Sequence, residues 1–346
     1  MIDLSKLSSS EKIFIKEFEI YNSAIEVYSH TNDYDIFRTE LRKMSDEYLN
    51  LLQQAVKLVK VSDSTQLNLR NAKVKLKEQN DKIAFQNDEL SKSNLIQEKL
   101  LNVINRELSR AADYVKSILP TPLDNNTNVV NIDWRFVPSS KLGGDMFGYK
   151  ELDKDNLAVY LIDVCGHGVQ AALYSVAVMN TLNYRSLPDT DFYNPVSVFT
   201  ELNKMFDMRK HNELYFTIWY GVYNYKTREL KYSSAGHPPA VYIKNKQDLK
   251  LLESDNFFIG GFQGYKFESG NCILNVNDNI YIYSDGAYEI RKNETEFMTI
   301  EELGNFLLAN NDKPDSMDLL YEHIKDINYD NTLEDDFTIL KMSIVK

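Results

Sequence analysis

The sequence predicts a layered α/β domain preceded by an all-α region and a coiled coil, and three observations predict it. The chain has 346 residues, and all 13 glycines and all 8 prolines lie from Pro120 onward. Those two residues are the main helix breakers, so residues 1–119 read as helical and the remainder as a different kind of structure. Apolar residues recur by sevens from Leu69, the repeat of a coiled coil. Beyond Pro120, short aliphatic and aromatic runs alternate with turn clusters, a pattern of hairpins with helices grouped between them rather than of a doubly wound sheet. The predicted divisions are a helical region over 1–50, a coiled-coil linker over 51–119 and the layered domain over 120–346.

Ser8 followed by Glu11 has the spacing of a capping box for a first helix. Ile13, Phe14, Phe18, Tyr21 and Ile25 then recur at helical spacing, and a break falls around His30 to Tyr34. In the heptad, Leu69, Leu76, Ile83, Leu90, Gln97, Ile104, Ala111 and Ile118 take the d positions. Lys73, Asn80, Asn87, Asn94, Leu101, Leu108 and Val115 take the a positions. Leucine at d with asparagine at a is a pattern of parallel two-stranded coils, and three asparagines in succession give a weak middle with a firmer end over 100–118. A homodimer through this coil is preferred to a single long helix packed on its own domain.

Strands are predicted at Ile132–Pro138, Met146–Leu152, Leu157–Ile162, Tyr215–Tyr225, Glu229–Ser234, Ala240–Lys244, Leu249–Leu252, Cys272–Val276, Asn279–Tyr283 and Phe337–Ile344. Helices are predicted over Val169–Arg185, whose stretch to Leu182 is rich in Ala and Leu with no breaker, and over Pro195–Met208, Ile300–Ala309 and Ser316–Ile327.

A net charge of −12 argues against a nucleic-acid partner, which calls for a basic face. No apolar run approaches the ~18 residues of a membrane helix and no signal pattern opens the chain. Cys165 and Cys272 make no disulfide framework, so a cytoplasmic protein is expected.

The chemistry is carried by acidic residues at strand ends. Asp145 follows Gly143-Gly144, Asp163 closes the run Leu157–Ile162, Asp285 follows Ile280–Ser284 and precedes Gly286, and Asp335-Asp336 opens the last strand. Carboxylates beside glycines suit a hard divalent cation held by oxygen ligands. Each aspartate alone is equally a turn residue; their joint occurrence carries the argument.

Five segments, GGDMFGY (143–149), LIDVCGHGVQAAL (161–173), SSAGHPP (233–239), YSDGAYEI (283–290) and DDFTIL (335–340), together resemble the SpoIIE-type branch of the metal-dependent serine/threonine phosphatases related to protein phosphatase 2C. The resemblance implies a β-sandwich flanked by helices and two Mn²⁺ or Mg²⁺ ions. It further implies that Asp163 bridges both ions, that Asp145 and the Val164 carbonyl complete one, and that Asp285 and Asp335 hold the other. Asp336 is the less favoured ligand of its pair. The implied reaction is hydrolysis of phosphoserine or phosphothreonine on a signalling protein, and the implied substrate a phosphorylated anti-sigma-factor antagonist.

Where related eukaryotic phosphatases have a histidine two residues after the bridging aspartate, this chain has Cys165. His167, Lys141, His237 and Cys165 are therefore read as a turn residue, a solvated lysine, a turn residue and a small buried thiol. GGDMF also resembles the diguanylate cyclase signature, but Met146 stands where that signature is acidic and the later aspartates would be unexplained. The competing class is a non-catalytic coiled-coil adaptor with a phosphatase-like domain; absence of a ligand aspartate would favour it, and none of the four is absent.

Overall fold

The structure is a computed structural model and describes residues 3–6, 15–30, 34–121, 123–124, 129–329 and 333–346. Two compact units are present, Met1–Lys99 and Leu100–Lys346. The first holds helix α1 (Ile15–His30) and most of α2 (Tyr34–Ile118), an 85-residue helix unbroken across residues 50 and 51. Phe18 and Ile20 of α1 line an apolar groove with Met44, Tyr48 and Leu51 of α2. The Ser8–Glu11 capping box and the centre of the 30–34 break lie outside the described residues. Along α2 the heptad residues are exposed: Leu69 is 69% exposed, Leu76 57%, Ile83 53% and Leu90 59%.

In the second unit, two antiparallel sheets form the sandwich. One has strand order β1-β2-β11-β10-β7-β8 and the other β3-β4-β5-β6-β9. The strands are β1 (Leu123–Asp124), β2 (Val130–Val137), β3 (Met146–Glu151), β4 (Asn156–Val164), β5 (Phe216–Asn224), β6 (Glu229–Ala235), β7 (Ala240–Lys244), β8 (Asp248–Leu252), β9 (Gly270–Ile273), β10 (Asn279–Tyr283) and β11 (Phe337–Ile344). β4 lies between β3 and β5 and is buried on both faces, which is why its sequence is a continuous apolar run rather than an alternating one. Helices α3 (Val169–Asn183) and α4 (Pro195–Met205) pack on the five-stranded sheet, and α5 (Ile300–Asn310) and α6 (Ser316–Ile327) on the six-stranded one.

Local chemistry sets the helix starts. Asn194 caps α4 by accepting from the Val196 amide at 3.0 Å, with Pro195 in the first turn. Thr299 and Glu302 form a reciprocal capping box at α5, at 3.2 and 2.9 Å.

Two expectations need correction. The C-terminal end of α2 does not form the firm end of an open coil: Val115 and Leu119 are buried in the sandwich core, with Leu108, Ala112 and Ile118 packed against it. These residues satisfy their apolar surface within the chain, so the heptad is left open only farther up the helix. Strand β9 starts earlier than predicted, because its edge pairing to β6 runs from Gly270 to Ile273. The chain then turns at Asn275–Asp278, where the Asp278 carboxylate accepts from the Asn275 and Asn245 amides at 2.7 and 2.8 Å. Among the described residues no helix is long and apolar enough to cross a membrane.

Candidate active site

The five aspartates singled out in the sequence lie toward one end of the sandwich, two from the five-stranded sheet and three from the six-stranded one. Met146, opening β3, pairs with Ile162 near the end of β4, so Asp145 and Asp163 come from neighbouring strands. On the other sheet Tyr283, closing β10, pairs with Ile339 of β11, which brings Asp285 beside Asp335 and Asp336.

Glycines permit the approach. A Cβ on Gly143 would lie 2.2 Å from the Asp336 carboxylate, and one on Gly286 would lie 2.2 Å from the Asp336 carbonyl. A Cβ on Gly144 would press on the Val164 carbonyl at 3.0 Å. The chain leaves β4 through Gly166 and Gly168, at φ +85° and +88°, a region in which other residues are strained.

Asp336 holds this frame together. Its Oδ1 accepts from the Ser139 amide at 2.7 Å and the Ser139 hydroxyl at 3.0 Å, while its Oδ2 accepts from the Asp145 amide at 3.3 Å. Its own carbonyl accepts from the Ser284 hydroxyl at 3.0 Å. With both carboxylate oxygens engaged by protein donors, Asp336 positions the loop before β3. The Thr338 hydroxyl donates to Asp145 Oδ2 and orients that carboxylate from β11.

Asp145 is 2% exposed, and burial first, then the charges of Asp163 and Asp336, hold its carboxyl well above the usual range. Burial and the charges of Asp285, Asp335 and Asp336 do the same to Asp163. Asp285 is pushed up to about 6 by burial and by Asp335, and burial raises Asp335. The four carboxylates thus sense one another, and their mutual repulsion in a partly desolvated end fits a cationic occupant. Among the described residues, no three histidine, cysteine or acidic side chains are drawn close enough to hold one ion together. Beside Asp285 and Asp335 opens a cavity of about 280 Å³ whose lining includes Glu289, Arg291 and Phe297.

The neighbours behave less simply than the sequence suggests. Lys141 is exposed, yet its Nζ donates to the Asn105 carbonyl at 2.9 Å, Asn105 Oδ1 at 3.2 Å and Ser109 Oγ at 3.2 Å, all on α2. Cys165 is only half-buried, and its Sγ accepts from the Tyr215 amide at 3.3 Å. His167 is exposed in its turn, near enough to Asp335 to favour the charged carboxylate. His237 lies in a bend but is 6% exposed, and its Nδ1 meets Thr217 Oγ1 at 2.8 Å, Thr217 being paired with Asp163. Burial pushes its imidazole down to about 3. Its Nε2 is buried and, among the described residues, has no hydrogen-bond partner of normal geometry, although the Tyr283 backbone favours the protonated ring.

Sequence reasoning missed Ser139, Ser284 and Thr338. Thr338 carried a signal, since it stands two residues beyond Asp336, but its partner is 193 residues away.

The family model described as Stage II sporulation protein E (SpoIIE) matches residues 153–345; Asp145 lies just outside that span. Two phosphoserine phosphatases of Bacillus subtilis (strain 168) are similar in sequence. RsbP is 29% identical over 188 residues, 53% of this chain and 45% of its own length. RsbU is 27% identical over 253 residues, 68% of this chain and 70% of its own length. The chain therefore spans less than half of the first relative. The SiaA-PP2C domain of Pseudomonas aeruginosa superposes with a TM-score of 0.59 at 17% identity, over 70% of this chain and 98% of that one. The PP2C phosphatase domain of SpoIIE from Bacillus subtilis, with a fragment of its regulatory domain, gives 0.53 at 20% identity, over 62% of this chain and 63% of that one.

Proposed function

Because the chain belongs to the SpoIIE family, we propose that it is a protein phosphatase that hydrolyses phosphoserine or phosphothreonine on a signalling protein. The observation that carries this reading is the convergence of Asp145, Asp163, Asp285 and Asp335 from two sheets, each raising or being raised by its neighbours' charge. Asp163 would bridge two Mn²⁺ or Mg²⁺ ions, Asp145 and the Val164 carbonyl would complete one, and Asp285 and Asp335 the other. When bound, such a pair would supply an activated water and charge neutralisation at the phosphoryl oxygens.

The chain's own residues do the positioning. Asp336 holds the Gly143-Gly144 loop and the Asp145 amide, so the backbone is placed by protein contacts. Thr338 fixes one oxygen of Asp145 from β11. The charges of Asp285 and Asp335 act on Asp163 across the gap between the sheets.

The relatives RsbP and RsbU are named phosphoserine phosphatases, which supports a phosphorylated signalling protein as substrate here. An anti-sigma-factor antagonist is the class suggested by the sequence resemblance. The open stripe Leu69, Leu76, Ile83 and Leu90 supports a parallel homodimer through α2. The Lys141 contacts to Asn105 and Ser109, two residues before the glycine loop, support control of the site by the terminal segment of α2.

The test is turnover of p-nitrophenyl phosphate and of a phosphoserine protein with Mn²⁺ or Mg²⁺. Asp163→Asn is expected to lower both rates by roughly a thousandfold, the loss of several kcal/mol of charge stabilisation. Equal rates for the two enzymes would overturn the assignment. A wild-type chain that is inert with either ion would favour the adaptor.

A further inference from the structure

The loop from β8 to β9 presents aromatic rings to solvent. Phe257 is 52% exposed and Phe262 56% exposed, with ring centroids 5.1 Å apart. Phe258 continues the row inward, 6.5 Å from Phe257 and 4.3 Å from Tyr215. Contiguous exposed apolar surface of this kind marks an interaction site.

Buried amides fix the loop from beneath, which is why the rings stand out. Asn256 donates to the Ser234 and Glu268 carbonyls, both at 3.0 Å, and accepts from the Glu268 amide at 2.8 Å. Asn203 accepts from the Gly260 amide at 2.8 Å and donates to the Phe262 carbonyl at 2.7 Å. Both asparagines are buried. A loop satisfied in this way holds its shape, so its aromatic groups can be recognised at little ordering cost.

The ledge is continuous with the candidate active site. Tyr215 donates its amide to Cys165 Sγ at 3.3 Å and accepts from the Cys165 amide at 3.1 Å, and Cys165 lies two residues past Asp163. Helix α3, which leaves the same turn, exposes Val169 (47%) and Leu173 (66%) one turn apart. The Cys165–Tyr215 contact thus links the segment that carries Asp163 to both apolar elements, the aromatic row through Phe258 and the start of α3 along the chain.

We propose that Phe257 and Phe262, with Val169 and Leu173, form the docking surface for aliphatic side chains that flank the phosphoserine of the protein substrate. This rests on the phosphatase reading above and adds what the substrate must look like.

Two phosphoserine peptides of equal length and charge test it, one with leucine and isoleucine around the phosphoserine and one with serine and threonine there. Each kcat/KM is divided by the same enzyme's rate on p-nitrophenyl phosphate, so damage to the fold or to the site cancels. The wild type is expected to favour the aliphatic peptide ~tenfold, through KM, as burial of one or two apolar side chains predicts. F257S/F262S abolishes that preference and F257L/F262L keeps most of it. A wild type that treats the peptides alike, or the same ratio in wild type and F257S/F262S, overturns the proposal. So does a change in the mass of the protein by light scattering in F257S/F262S, which would assign the ledge to a second copy of the chain. Failure to hydrolyse any of the three phosphoesters would instead overturn the phosphatase reading, and this proposal with it.

Discussion

Leu161 in β4 and Leu76 in α2 are the same residue under opposite conditions, 0% and 57% exposed. Around Leu161 the sandwich closes on itself: strands on both sides, the opposite sheet and α3 leave no apolar surface unspent. Along α2 the stripe from Leu69 to Leu90 stays open. Burying such a side chain is worth about 1.5–3 kcal/mol, so the sandwich draws its stability from within the chain, whereas this part of the helix has most of its own still to gain from a partner.

The largest expected effect is on the closed side. Leu161→Ala leaves a cavity in a packed core and should cost about 2–5 kcal/mol, read as a lowered urea midpoint. A loss under about 1 kcal/mol would mean that the site collapses around the gap and is less tightly packed than its burial implies.

Next comes a difference of charge. The sandwich keeps His237 neutral at about 3, against an ordinary 6.5. Between those values the unfolded chain binds a proton that the fold refuses. Stability is therefore fully present above about 6.5 and falls as pH drops toward 3, by about 1.4 kcal/mol per pH unit. Urea midpoints at pH 6.5 and 5 should fall further apart in the wild type than in His237→Asn. Equal intervals would show that the ring does not carry this penalty.

The smallest effect on folding belongs to the open side. Leu76→Ala should leave the unfolding free energy of the dilute monomer within about 0.5 kcal/mol, while weakening self-association measured by sedimentation. A cost as large as that of Leu161→Ala at every protein concentration would mean that the stripe is already packed within one chain, and the contrast would collapse.

The same contrast governs what the sequence could disclose. β7, β10 and β11 were legible to the residue because each is a compact apolar run bounded by turn residues. β4 was legible as a strand because both its faces are covered. The two-residue β1 was not, since it exists only by pairing with β2. In the candidate site, the aspartates were legible from their places at strand ends beside glycine. The clamp by Asp336 was not: Ser139 and Asp145 are 197 and 191 residues away from it, and no local pattern encodes a contact made by tertiary folding. The coil was read too far toward its C-terminal end, because Val115 fits a heptad and a sandwich core equally well.

Asp336 has one more consequence. It ties the loop ahead of β3 to the start of β11 through donors that belong to the chain. Adding diamagnetic magnesium to the protein should therefore leave the amide spectrum of the glycine loop nearly still.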